Sequence, residues 1–233
     1  MSLADQPPAL ALQSLVHAWP GQAPLIHIEE LQLQQGQHLF IQGPSGCGKS
    51  TLLSLLAGVQ QVQQGTCQVL GHQLTQLNSV QRDRLRGEHM GVIFQQFNLL
   101  PFLDAQANAL LPTQLFPSRA AAATHAFGSS VLQAQSLAQS LGLPQSLWHQ
   151  PVHQLSVGQQ QRVATVRALM GQPQLIIADE PTSALDDANQ LEFLDLLLDT
   201  AAQQGASVVM VSHNARLADR FHQVHVWPAK VAS

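Results

Sequence analysis

Residues 43–51 carry the most chemically specific pattern in the sequence, Gly-Pro-Ser-Gly-Cys-Gly-Lys-Ser-Thr. They match G-x-x-x-x-G-K-[S/T] at every fixed position. In this pattern the backbone N–H groups of a glycine-rich turn point inward at a helix N-terminus, where unpaired donors and the helix dipole favour phosphate oxygens. The alternative is an ordinary glycine-rich turn with an unrelated lysine. Under that alternative the match at every fixed position would be a coincidence. The pattern therefore predicts a nucleoside triphosphate site.

The residues of this loop have distinct predicted roles. Lys49 is expected to lie against the β and γ phosphates, and Ser50 is placed to give its hydroxyl to Mg²⁺. Gly46 and Gly48 are expected where a Cβ would prevent the backbone from approaching the phosphates. The predicted phosphate cradle consists of Gly43, Pro44, Ser45, Gly46, Cys47, Gly48, Lys49, Ser50 and Thr51.

Four further polar residues follow predicted buried strands: Gln95, Asp179, Glu180 and His213. If the strands are parallel, their carboxyl ends share one edge of the sheet, and these side chains converge on the phosphate loop. Asp179 is suited to hold Mg²⁺ directly or through water, and Glu180 to polarise a water aimed at the γ-phosphoryl group. An acidic pair that merely complements a helix dipole is the competing interpretation. His213 is one of eleven histidines, most of which should be structural, but its strand delivers it to the phosphate edge.

The elements that would position these residues alternate between strand and helix. Apolar runs at 38–42, 90–94, 175–178 and 206–211 predict buried strands, and the intervening segments have helical patterns. This alternation is typical of an α/β protein with a mainly parallel sheet covered on both faces. Between residues 108 and 150 the composition shifts to Ala, Leu, Gln and Ser, with helical periodicity at 120–127 and 131–141. We predict an inserted helical subdomain there.

Composition excludes several classes of protein. The chain has 233 residues, 45% of them hydrophobic, so it can bury a sizeable core without disulfides. Only 10% of the residues are charged and the net charge is -4, so nucleic acid is not an expected partner.

The expected location follows from what the sequence lacks. Cys47 and Cys67 have neither pairing nor metal-ligand spacing, which favours a reducing compartment. We predict no signal peptide at the N-terminus and no membrane-spanning run. Any work at a membrane would therefore require another subunit to hold the protein there.

Several ordered motifs resemble the ATPase subunit of ATP-binding cassette (ABC) transporters. They are Leu155-Ser-Val-Gly-Gln-Gln-Gln-Arg162, Arg167-Ala-Leu169, Leu175–Glu180, Pro181-Thr-Ser-Ala-Leu-Asp186 and Val211-Ser-His213. The resemblance covers nearly the whole chain and implies an ATPase of the P-loop type that uses ATP and Mg²⁺. It also implies one domain over residues 1–233, with an N-terminal antiparallel β part, a core at 1–95 and 160–233, and a helical subdomain at about 96–159.

The resemblance assigns roles to two more residues of the nucleotide site. Trp19 corresponds to the aromatic residue that stacks on adenine, where the family usually has tyrosine. Gln95 corresponds to the loop glutamine that links Mg²⁺ and water to the transmembrane partner, with Gln96 as the competitor for that role. On these grounds the implied catalytic set is Lys49, Gln95, Glu180 and His213, and the implied metal ligands are Ser50, Gln95 and Asp179.

Ser156, Gly158 and Gln159 correspond to the family's signature loop, which faces the ATP held by the opposite subunit. The resemblance thus implies a head-to-tail dimer of two copies that sandwiches two ATP molecules, with Asp186 at the seam. This chain departs from the family at Val157, where glycine is usual. Because a β-branched residue strongly disfavours positive φ, the turn must use an ordinary backbone conformation.

Residues 86–101 are similar to the lipoprotein-release and macrolide-export branch of the family. That similarity implies a separate integral-membrane permease, contacted through Phe97, Leu99, Leu100 and Phe102, and a peripheral location on the cytoplasmic face of the inner membrane. A regulatory ATPase that signals to cell-wall hydrolases during division is the alternative. DNA-repair and translation ATPases are disfavoured because the chain has no basic patch or second cassette.

Overall fold

The computed structural model describes residues 7–183 and 185–227. In these ranges the strands are β1 (Leu10–His17), β2 (Ile26–Leu33), β3 (His38–Gln42), β4 (Gln64–Val69), β5 (His72–Gln73), β6 (Met90–Ile93), β7 (Leu175–Asp179), β8 (Ser207–Ser212) and β9 (Gln223–Val226). The helices are α1 (Lys49–Leu56), α2 (Ser79–His89), α3 (Ala105–Leu115), α4 (Pro117–Phe127), α5 (Ser130–Ser140), α6 (Val157–Leu169) and α7 (Asp187–Gln203). None of the described helices is both long enough and apolar enough to span a bilayer.

The strands form two sheets of different kinds. The larger has the order β6-β7-β8-β3-β9, and each neighbouring pair in it is parallel. The smaller has the order β2-β1-β4-β5, and its pairs are antiparallel. The predicted parallel core sheet and N-terminal antiparallel part are therefore both confirmed.

Strand β8 shows why the parallel sheet needs cover on both faces. It is buried along its whole length. Val208 and Met210 join an apolar cluster with residues of α5, α6 and α7, while Val209 and Val211 join a second cluster with α1 and the antiparallel sheet. An unbroken apolar run is what a strand covered on both faces requires, because alternate side chains enter different cores.

Helix α3 was not predicted, because Pro112 lies in its interior. A proline removes one donor from the helix and normally ends it. Here the Asp104 side chain caps the first turn by accepting from the Ala107 N–H at 2.7 Å, and Ala105 and Ala109 are fully buried within the larger apolar cluster. Capping and tertiary packing against α6 offset the cost of Pro112.

One predicted surface residue is buried instead. Phe97 was expected on the partner-facing surface, but its side chain is only 7% exposed, so for Phe97 the prediction is wrong. Leu99 and Leu100 are half-buried, and Phe102 is the most exposed of the four at 79%. The backbone of Phe97 has a φ of 59°, which turns its ring into the protein.

Candidate active site

A cavity of about 570 Å³ opens at the carboxyl edge of the parallel sheet. Its walls are Trp19, Gln22, Leu25, Ser45, Gly46, Gly48, Lys49, Ser50, Thr51, Gln95, Asp179 and Glu180. The predicted residues in this set come from the turn after β1, the loop before α1, the first turn of α1 and the ends of β6 and β7. Sequence reasoning missed Gln22 and Leu25, because no motif marks either residue.

The phosphate loop has the backbone that its glycines predict. Gly46 and Gly48 have φ values of 75° and 109°, and Gly48 is the N-cap of α1. A Cβ on Gly48 would lie 2.9 Å from Cγ of Leu25, whereas one on Gly46 would meet no described atom within 4 Å. Gly48 is thus required by a close contact, and Gly46 by its left-handed conformation beside the open cavity.

The Lys49 ammonium is held in place by the loop itself. Its side chain is 5% exposed, and Nζ donates to the carbonyl oxygens of Gly43 at 2.8 Å and Pro44 at 2.9 Å. Nζ also lies 3.6 Å from Oε1 of Glu180. Gly43 and Pro44 therefore orient the lysine instead of lining the cavity, and Cys47 is buried behind the loop.

Asp179 and Ser50 form the centre of the predicted metal site. The two side chains are hydrogen-bonded to each other. Burial raises the pKa of Asp179 and neighbouring Glu180 adds to the rise, while the bond to Ser50 and the charge of Lys49 oppose it. Gln95 lines the same cavity, so a carboxylate, a hydroxyl and an amide meet there, a set of oxygen donors that suits Mg²⁺.

This donor set differs from a metal cage built from protein alone. Among residues 7–183 and 185–227 no group of three or more His, Cys, Asp and Glu side chains is arranged to hold a metal ion. Mg²⁺ typically takes one or two protein ligands and completes its coordination with substrate phosphates and water.

Glu180 bridges the two basic residues of the site. Its Oε1 faces Lys49, and its Oε2 lies 3.2 Å from Nδ1 of His213. Its φ of 44° is unusual for a non-glycine residue, and its N–H donates to the Val211 carbonyl at 3.0 Å. Strain of this kind concentrates at functional sites, where the surrounding structure holds it in place.

His213 lies between two cavities. Its side chain is 58% exposed and lines a second cavity of about 470 Å³ together with Thr182, Asn214 and others, not the first one. It reaches the phosphate side of the sheet only through Glu180, so its geometry supports orientation of that carboxylate.

Trp19 offers a flat apolar surface at the cavity mouth. The indole is 38% exposed and packs edge to face against His17, with ring centroids 5.5 Å apart. The backbone beside it is fixed by Gln63, which donates to the Ala18 carbonyl at 2.9 Å and accepts from the Ala18 N–H at 2.8 Å. These hydrogen bonds fix the turn that places the indole ring at the cavity.

The signature residues lie elsewhere, at the start of α6. Ser156 and Gln159 form a capping box, in which Ser156 Oγ accepts from the Gln159 N–H at 3.3 Å and Gln159 Oε1 accepts from the Ser156 N–H at 2.9 Å. Val157 is the first helical residue, is half-exposed and does not have a positive φ. Ser156, Gly158 and Gln159 do not line the cavity of their own chain.

Comparison with known proteins decides the family. Residues 27–183 match the family described as ABC transporter. The chain is 36% identical over 206 residues to the lipoprotein-releasing system ATP-binding protein LolD of Hydrogenovibrio crunogenus, covering 86% of this chain and 85% of that protein. The chain belongs to the ABC transporter family. It is also 37% identical over 214 residues to the macrolide export ATP-binding/permease protein MacB of Marinobacter nauticus, covering 91% of this chain but 32% of MacB.

Solved cassettes share the fold of this ABC ATPase. The dimeric ABC transporter cassette MJ0796 superposes with a TM-score of 0.80 and 28% identity, over 94% of both chains. A dimeric post-hydrolysis state of MJ0796, bound to ADP and Pi, superposes with a TM-score of 0.79 and 27% identity over the same share. The chain is thus an ATP-hydrolysing subunit of the ABC type, as the sequence motifs predicted.

Proposed function

We propose that this ABC ATPase hydrolyses Mg²⁺-bound ATP in a head-to-tail dimer and drives a separate membrane permease. The observation that carries the proposal is the convergence of Lys49, Ser50, Gln95, Asp179 and Glu180 on one cavity. Trp19 would stack on adenine at its mouth, and the loop of residues 43–51 would hold the triphosphate.

Each side chain has a role in this reaction. Lys49 neutralises charge on the β and γ phosphates, and Glu180 acts as the general base that draws a proton from the attacking water. His213 orients Glu180 through the 3.2 Å contact between Nδ1 and Oε2. Mg²⁺, held by Ser50, Gln95 and Asp179, would neutralise charge on the phosphate oxygens.

The second half of each site would come from the partner copy. Ser156, Gly158 and Gln159 lie at the N-terminus of α6, a position that favours phosphate, yet they are outside their own chain's cavity. Two copies arranged head to tail would bring each such helix to the other chain's ATP, with Asp186 at the seam. The dimeric state of the MJ0796 cassettes supports this arrangement.

The permease contact would form on the apolar exit from β6. Phe102 and half-buried Leu99 and Leu100 remain available, and Phe94 is 43% exposed beside them in sequence. We infer a peripheral position on the cytoplasmic face of the inner membrane, held by that permease. The relatives reported above are named for lipoprotein release and macrolide export, so transport or extraction is preferred to signalling in cell division.

We also infer a single domain with a helical subdomain inserted between β6 and β7. One apolar cluster contains Phe40 of β3, Leu137 of α5, Val163 of α6 and Leu194 of α7, so the helices and the sheet share a core. Because α6 begins at Val157, the second subdomain boundary is better set there than at residue 160.

Replacing Asp179 with asparagine tests the magnesium assignment. The Mg²⁺ concentration that half-saturates ATP hydrolysis should rise by about tenfold or more, because a charged ligand is lost. The matched control is Asp195→Asn, which removes a surface carboxylate paired with Arg220 at 2.7 Å. If the unmodified chain hydrolysed ATP at the same rate with and without Mg²⁺, the proposed chemistry would be contradicted. If Asp179→Asn and Asp195→Asn changed the half-saturating Mg²⁺ concentration equally, the assignment of Asp179 as a ligand would be contradicted.

Val157→Gly tests the departure of the signature loop from the family. Glycine should lower the KM for ATP in the assembled complex by about threefold, the scale of one improved hydrogen bond, because it lets the helix N-terminus approach the partner's phosphates. Val157→Ala is the control, since it removes the branch without adding backbone freedom. Unchanged steady-state ATPase activity in the glycine variant would mean that Val157 does not limit the contact in trans.

A further inference from the structure

The loop that carries Gln95 has a backbone that its sequence disfavours. Phe97 and Asn98 have φ values of 59° and 49°, so two consecutive non-glycine residues are left-handed. The turn is tight, with the Phe97 N–H donating to the Phe94 carbonyl at 2.9 Å and the Asn98 N–H to the Gln96 carbonyl at 2.6 Å. Asparagine tolerates this region of the Ramachandran plot, but phenylalanine seldom adopts it, so other contacts must hold the loop.

Arg167 supplies such contacts. Its Nη1 donates to the Asn98 carbonyl at 2.7 Å and its Nη2 to the Phe97 carbonyl at 2.5 Å. One guanidinium therefore hydrogen-bonds the carbonyls of both left-handed residues. Burial lowers the pKa of Arg167, as expected for a cation removed from water. Hydrogen bonds from a charged donor are stronger than neutral ones, so this clamp can hold a conformation that the loop would otherwise leave.

A second anchor holds the chain beyond the clamp. Asn108 of α3 accepts from the Leu100 N–H at 2.7 Å and donates to the Leu100 carbonyl at 3.1 Å. That anchor lies five residues from Gln95, whereas the carbonyls gripped by Arg167 lie two and three residues from it. Of these two anchors, Arg167 therefore makes the hydrogen bonds that lie nearer to Gln95 and the cavity.

The clamp also connects two parts of the proposed catalytic cycle. Arg167 lies on α6, eleven residues after the capping Ser156, a rise of about 16 Å along one rigid helix. The N-terminus of that helix is the proposed contact with the partner's ATP. Movement of α6 on dimer closure would therefore pull on the loop that carries Gln95.

We propose that Arg167 is a positioning residue for Gln95, holding the left-handed turn at Phe97 and Asn98 so that the Gln95 amide meets the magnesium site. This inference rests on the proposed function, because it takes Gln95 as a metal ligand. If Arg167 only stabilised the fold, its replacement would not change the magnesium dependence of ATP hydrolysis.

The test compares Arg167→Met with Arg162→Met in the full-length chain. Arg162 is the matched control, because it lies on the same helix and donates to the Gly142 carbonyl at 2.6 Å, away from the loop. Arg167→Met should raise the half-saturating Mg²⁺ concentration for ATP hydrolysis about tenfold, the ratio expected for loss of a hydrogen bond from a charged donor. Its affinity for ATP in EDTA, measured by calorimetry, should stay within about twofold, since Gln95 contacts no phosphate directly. Arg162→Met should leave the magnesium dependence unchanged.

Restoring the turn by another route makes the test sharper. Glycine adopts positive φ without a Cβ penalty, so Phe97→Gly added to Arg167→Met should recover much of the magnesium affinity, because phenylalanine is the residue that disfavours the turn. Arg167→Lys should not recover it, because an ammonium lacks the fork that reaches two carbonyls. Equal magnesium dependence in Arg167→Met and the unmodified chain, or no recovery with Phe97→Gly, would overturn the inference. Failure of the proposed function would look different, since the unmodified chain itself would then show no magnesium-dependent hydrolysis.

Discussion

Glu180→Gln is expected to reduce the rate of ATP hydrolysis by about 10²-fold or more, the contribution usual for a general base. The side chain is nearly isosteric, and glutamine can keep contacts to Lys49 and His213 while losing the basic oxygen. ATP binding should therefore persist, and the variant should accumulate as an ATP-bound dimer. Steady-state hydrolysis and gel filtration with ATP and Mg²⁺ measure the two effects.

The control for this variant is Glu29→Gln, which removes a carboxylate that is 85% exposed on the antiparallel sheet. It changes the net charge equally but lies outside the cavity, so hydrolysis should match that of the unmodified chain. Retained turnover in Glu180→Gln, together with no dimer, would refute the assignment of the base. Loss of both binding and turnover would instead indicate that Glu180 mainly fixes Lys49, across their 3.6 Å contact.

The sequence was sufficient to predict which polar residues converge on the cavity because of parallel-sheet geometry. Strands β6, β7, β8 and β3 all point their carboxyl ends to one edge, so residues that follow buried apolar runs must meet there. Asp179, Gln95 and the phosphate loop were placed on that basis, without knowledge of the strand order. The burial of β8 along its whole length was also predictable, since Val208, Val209, Met210 and Val211 form an unbroken apolar run.

Other features depend on packing that no local pattern encodes. No motif in the sequence marks Leu25, yet it approaches Gly48 so closely that a Cβ there would lie 2.9 Å from its Cγ, a contact between residues 23 positions apart. Phe97 was predicted to be exposed because it lies in a loop next to other apolar residues. Its inward orientation follows from a left-handed backbone gripped by Arg167, and neither the φ value nor the partner is visible in a single sequence.

The placement of α6 raises the question that decides the mechanism. Its capped N-terminus carries Ser156 and Gly158, yet neither residue lines the described cavity. A helix N-terminus that binds phosphate in its own chain would have to lie within hydrogen-bonding reach of the phosphate loop. The proposed head-to-tail dimer would resolve this separation, because each chain would then contribute its α6 to the other chain's triphosphate.

Two defective chains should therefore complement each other. Lys49→Met removes a contact within a chain's own site, and Gly158→Asp places a negative charge where α6 should meet the partner's phosphates. A Cβ at Gly158 makes only an ordinary 3.5 Å contact with Leu185, so the fold should tolerate aspartate. An acidic residue in the first turn of α6 also suits the helix dipole. Both changes are made in the Glu180→Gln background, where bound ATP is retained.

Each variant alone has both composite sites damaged and should form no ATP-bound dimer. In a mixed dimer, one site collects both defects, while the other combines an intact phosphate loop with an intact α6. Mixing should therefore restore a dimer holding about one ATP per two chains, the stoichiometry that the two-fold arrangement dictates. Gel filtration with radiolabelled ATP, with Lys49→Met and Gly158→Asp combined in one chain as the control, measures it. A mixture that stays monomeric and binds no ATP would contradict assembly in trans. Complementation requires each site to contain residues of both chains, because only then can both defects fall in one site and leave the other site intact.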